Sequence, residues 1–100
     1  MSYRAASNWN EKNELRSLVI FKKLQAQNFP RGKQMEYCKE ISPISRLEPG
    51  NISAKVSNYK SVAGINNHSN ASENTKDIFR KYGSLSVAEL ERLINNSENL

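Results

Sequence analysis

Residues 46–62, RLEPGNISAKVSNYKSV, decide how the chain is read. Pro49 suits the first turn of a helix, where its missing N–H costs nothing, and the segment runs on without a breaker to Lys60. Ile52, Val56 and Tyr59 recur at i, i+4 and i+7, the spacing of one buried helical edge. The opposite side carries Asn51, Ala54, Ser57, Asn58 and Ser61, with Lys55 and Lys60 toward its rims. A helix with one apolar edge and a face of small and amide side chains must be braced by other elements.

The bracing elements precede it. Residues 10–27 lack Pro and Gly and hold Leu15, Leu18, Val19, Ile20, Phe21 and Leu24, which predicts a long first helix. Asn8 is its expected N-cap, and Trp9 is expected to enter the core. At about 100° per residue Lys12, Arg16 and Lys23 share one narrow polar stripe, so the rest of the helix is free to pack. Phe29-Pro30 and Gly32 make a break. Met35, Cys38 and Ile41 then mark the packing face of a second helix over 33–42, which Pro43 is expected to end.

Downstream, residues 64–70, GINNHSN, form a polar loop. Ser72 caps a fourth helix carrying Ile78, Phe79 and Tyr82, which stops at Gly83. Ser86-Val-Ala-Glu89 reads as a capping box opening a fifth helix, with Leu90, Leu93 and Ile94 inward. The expected fold is therefore all-α, a trihelical helix-turn-helix-like core with two further C-terminal helices. The domain spans 9–95, between a flexible stretch at 1–8 and a frayed end at 96–100.

Composition narrows the function classes. Cys38 is the single cysteine and His68 the single histidine, so neither a disulfide framework nor a His- or Cys-based metal cluster is available within one chain, and a reducing, cytoplasmic setting is expected. No carboxylate cluster has metal-binding spacing, and no cofactor is expected. Glu36 and Glu40 are an i, i+4 surface pair more readily than an acid–base couple, so the chain reads as non-catalytic by itself. The longest apolar run, Leu18–Phe21, is far below the roughly 20 residues a membrane span needs.

Charge is uneven. Residues 1–60 hold eleven Lys/Arg against five Asp/Glu, a net of +6, whereas residues 61–100 hold four against five, a net of −1. Such asymmetry points to a polyanion, and the trihelical layout points to double-stranded DNA, with the third helix in the major groove. Lys12, Arg16, Lys23, Arg46, Lys55 and Lys60 are the candidate phosphate contacts. Asn51, Asn58 and Ser57 are the candidate base readers, the asparagines because an amide pairs in a bidentate way with adenine N6 and N7. Asn66, Asn67 and His68 offer a second contact from the loop.

RLEPGNISAKVSNYKSV and the following AGINNHSNASENTKDIFRKY together resemble a segment of the N-terminal helical regions of some bacterial HNH endonucleases and restriction-type proteins. Ile52, Lys55, Asn58, Tyr59, Gly64, Ser69, Ile78 and Phe79 carry the likeness. The resemblance implies a DNA-recognition module that stands ahead of a nuclease in its relatives, in a restriction or modified-DNA-sensing system associated with the nucleoid. The nuclease constellation itself is missing here. Two other readings stay open: a protein–protein adaptor docking through the C-terminal helices, and a small phage or bacterial transcription regulator.

Overall fold

A computed structural model describes residues 9–65 and 72–96. The expected flexible stretch at 1–8, the loop residues Asn66, Asn67 and His68, and the end at 97–100 lie outside them. Among the described residues five helices follow in order: α1 (Glu11–Ala26), α2 (Lys33–Ser45), α3 (Pro49–Val62), α4 (Glu73–Tyr82) and α5 (Val87–Asn96). No strand occurs among the described residues, so the fold is all-α. None of the described helices is long and apolar enough to cross a membrane.

α1 is the axis of the molecule. Among the described residues it supplies six of the thirteen buried apolar ones, Leu15, Leu18, Val19, Ile20, Phe21 and Leu24, and it packs against each of the other four described helices. Its breadth follows from its sequence: apolar positions occur all round except on the Lys12–Arg16–Lys23 stripe, so helices cover it on most sides. Phe21 meets Tyr59 of α3 at 6.4 Å and Phe79 of α4 at 6.0 Å between ring centroids, and those two rings lie 6.2 Å apart. These tilted and edge-on contacts are the favoured geometries for aromatic rings and tie three helices at one point.

Local chemistry sets the helix ends. Asn10, not Asn8, caps α1, its side chain accepting from the Asn13 N–H at 2.8 Å. α1 closes with a Schellman turn: the Phe29 N–H reaches the Leu24 carbonyl and the Asn28 N–H the Gln25 carbonyl, with Asn28 at φ +61°. α3 ends the same way at Gly64, at φ +83°. Ser72 caps α4 and the Ser86/Glu89 capping box opens α5, both as expected.

Pro43 does not end α2, which continues to Ser45. The extra turn is held by side chains. Ser42 Oγ donates to the Leu47 carbonyl, the Leu47 N–H donates to Ser45 Oγ, and the Asn13 amide donates across from α1 to the Ser45 carbonyl at 3.1 Å. Arg46, in the left-handed region at φ +65°, then turns the chain toward α3. Met35 and Leu93, expected inside, are exposed. α2 buries only its Cys38 edge, and α5 packs chiefly on α1, so one stripe through Val87, Leu90 and Ile94 suffices to seat it.

Candidate nucleic-acid interface

α3 is seated as the sequence demands. Ile52, Val56 and Tyr59 are fully buried, and the helix packs on α1, α2 and α4. Its outer side consists of Gly50, Asn51, Ala54, Ser57, Asn58 and Ser61, running from exposed Asn51 and Ala54 to half-buried Ser57, Asn58 and Ser61. No side chain there is larger than asparagine, and α3 contains no acidic residue.

One rim of this face belongs to α2. The Gln34 side-chain amide donates to the Ser53 carbonyl at 3.0 Å, to Ser53 Oγ at 2.8 Å and to Ser57 Oγ at 3.2 Å. Its oxygen accepts from Lys60 Nζ at 2.7 Å. The Lys60 ammonium also lies 5.2 Å from the centroid of the Phe29 ring, a cation–π distance. Ser57, expected as a base reader with the two asparagines, is thus partly engaged with α2.

Lys55, on the other rim, has turned inward. Its ammonium donates to Glu14 Oε1 and to Thr75 Oγ1, both at 2.8 Å, and sits 4.5 Å from the centroid of the Trp9 ring. Tyr59 donates its hydroxyl to Glu14 Oε2 at 2.6 Å. The Glu14 side chain is 1% exposed and that of Lys55 13%. A carboxylate taken out of water must be paired and hydrogen-bonded, and this one has a lysine on one oxygen and a phenol on the other. Trp9, expected as core, is half-buried as the lid over that lysine. Lys55 therefore serves the interior rather than standing free at the surface.

The α1 cations lie elsewhere. Glu14 and Phe21 mark the edge of α1 that meets α3, and at about 100° per residue Lys12, Arg16 and Lys23 fall on the roughly opposite side. Arg16 and Lys23 line a groove of about 370 Å³ between α2 and α5, with Val19, Tyr37, Ile41, Ile44 and Ile94 among its walls. Lys23 faces Glu91 at 3.5 Å, and Arg16 donates to Asn13 Oδ1 at 2.7 Å. The fold does not bring this stripe together with the outer face of α3. Arg46, at the end of α2, is exposed and lies three residues before Pro49 opens α3.

Two cations from residues 61–100, the stretch with a net charge of −1, lie beside α3. Lys76 and Arg80, one turn apart on α4, share a shallow pocket of about 420 Å³ with Ser61, Val62 and Phe79. Each has an acidic neighbour one turn earlier, exposed Glu73 at 3.7 Å and half-buried Asp77 at 3.0 Å. Their i, i+4 spacing was legible, but nothing local to α4 indicates that it packs along α3.

Among the described residues no group of three or more His, Cys, Asp or Glu could hold a metal ion. Every buried side-chain polar atom there has a hydrogen-bond partner. Cys38 is fully buried, and desolvation pushes its thiol up to about 11. Comparison with family models, with curated proteins and with solved structures finds no match.

Proposed function

We propose that this chain is a double-stranded DNA-binding module, non-catalytic by itself, whose α3 enters the major groove on its outer side. The carrying observation is that face: small and amide side chains only, no acid, and a cation-bearing flank on each side, Lys60 toward α2 and Lys76 with Arg80 toward α4. Short side chains let a helix approach base edges closely, asparagine amides read adenine, and rim cations neutralise phosphates. Asn51 and Asn58 are the base readers in this reading. The structural separation of Lys12, Arg16 and Lys23 from α3 moves the phosphate role toward Lys60, Lys76 and Arg80, and Lys55 becomes the residue that fixes the helix in place.

The resemblance to HNH-associated regions adds a context, a recognition module working with a nuclease in a restriction-type system. Titration of the isotope-labelled chain with a short duplex, followed by amide NMR, tests the site. Shifts gathered on residues 50–61 and 76–80 support it, whereas shifts along the α2–α5 groove, or none, overturn it.

One observation favours a second reading, the protein–protein adaptor. The groove between α2 and α5 presents Val19, Ile41, Ile44 and Ile94, and Ile44 is 61% exposed. A partner docking there would leave duplex DNA without effect and would be lost on Ile44→Glu.

A further inference from the structure

We propose that Gln34 is a positioning residue of this interface, fixing Lys60 where a backbone phosphate can meet it; this rests on the DNA-binding reading above. The orientation of the Gln34 amide is dictated by its neighbours. Its nitrogen faces three oxygens, the Ser53 carbonyl, Ser53 Oγ and Ser57 Oγ. The reverse orientation would set the amide nitrogen against the Lys60 ammonium, donor against donor, and its oxygen against the carbonyl, acceptor against acceptor. The amide oxygen is therefore committed to Lys60, at 2.7 Å.

The second constraint on Lys60 is the Phe29 ring. Phe29, whose N–H closes the Schellman turn that ends α1, is itself at φ +52°, with its ring 6.0 Å from that of Phe21 in the core. An aromatic residue in the left-handed region is costly and persists only where its surroundings enforce it. Lys60 is thus located by a neutral amide on α2 and a neutral ring on the α1–α2 connection.

Neutral partners are what gives this arrangement its use. The carboxylates opposite Lys55 and Lys23 offset those charges. Gln34 and Phe29 fix the Lys60 ammonium without cancelling it, and an ammonium has three protons to donate. A pre-placed cation loses less side-chain freedom when it meets an anion than a mobile one does. Gln34 sits on α2 and acts through Lys60, which makes it a positioning residue rather than a contact.

The test is a double-mutant cycle of duplex affinity over a salt series, using the whole chain. Lys60→Gln should lower the salt slope by about 0.9 and the affinity about eightfold near 0.1 M salt, the value of one phosphate contact. Gln34→Met should lower affinity part or all of the way to the Lys60→Gln value, and should have no effect when Lys60 is already glutamine. A purely structural role for Gln34 would persist in that second background. Parental binding by Gln34→Met, or an equal loss in both backgrounds, overturns the assignment. A parent chain that binds no duplex overturns the DNA-binding reading, and this inference with it. If Gln34→Met does not fold, Gln34→Asn, which keeps the amide but shortens its reach, takes its place with the same expected outcome.

Discussion

Lys55 Nζ lies 2.8 Å from Glu14 Oε1, joining α3 to α1 across forty-one positions of sequence in a site almost closed to water. The same ammonium reaches Thr75, whose hydroxyl is 3.1 Å from that of the α4 N-cap Ser72, so one lysine fixes three helices. The orientation of the proposed recognition helix is set from inside the molecule.

Removing one partner should therefore be far worse than removing both. Lys55→Ala leaves a buried carboxylate that keeps the Tyr59 hydroxyl but has lost its cation, and a loss of about 3–5 kcal/mol is expected for such a broken pair. Replacing both groups by apolar ones, Glu14→Leu with Lys55→Met, should recover most of that loss. Urea unfolding of the two single variants and the double variant checks this, and additive losses would contradict it.

The cations should divide by position, not by number. Neutralising Lys60, or Lys76 together with Arg80, should weaken duplex binding and flatten its salt dependence by about 0.9 for each phosphate left without its cation. Arg16→Gln with Lys23→Gln removes two charges from the opposite side of α1 and should leave the slope close to that of the parent. Equal effects from both sets would return the binding role to the basic half as a whole.

Cys38 should be inert in the native state. Burial raises its thiol to about 11 from an ordinary value near 9, and only the thiolate is nucleophilic. At pH 8 a thiol reagent should label the chain only as fast as it opens, and addition of urea should accelerate labelling. The sign of the pH effect follows from the raised value: the neutral thiol favours the folded chain fully below pH 9, and this contribution is lost as pH climbs toward 11. A rise in stability over that interval would contradict the burial of this side chain.

The capping box at α5 has the opposite sign. Hydrogen bonds from Ser86, through its backbone N–H above all, hold the Glu89 carboxyl below the usual carboxylate range. Its contribution is present above that range and lost as pH falls through the lowered value. Amide protection in α5, taken relative to the intrinsic exchange rate at each pH, should fall on acidification in the parent. In Glu89→Gln, which keeps an acceptor but does not titrate, it should respond less.

The helices were legible because their signals are local. Pro49 and Gly64 bracket α3, Ser72 and Gly83 bracket α4, and the Ile52–Val56–Tyr59 edge points inward as its spacing requires. Pro43 misled because the turn that contains it is secured by Ser42, Ser45 and Asn13, contacts that extend beyond its own helix. The site was legible only in part for the same reason. Glu14 shares an apolar stripe with Leu18 and Phe21, at i+4 and i+7, and a carboxylate so placed calls for a buried cation. Which lysine answers it is a tertiary fact, as is the placing of Lys76 and Arg80 beside α3.

The most direct measurement is the affinity of the unaltered chain for double-stranded DNA as salt is raised. Three rim phosphate contacts, from Lys60, Lys76 and Arg80, should give a straight fall of log affinity against log salt with a slope of about −2.7. Absence of duplex binding at low salt, or an affinity that salt does not change, would contradict the assignment of α3 as a DNA-recognition helix.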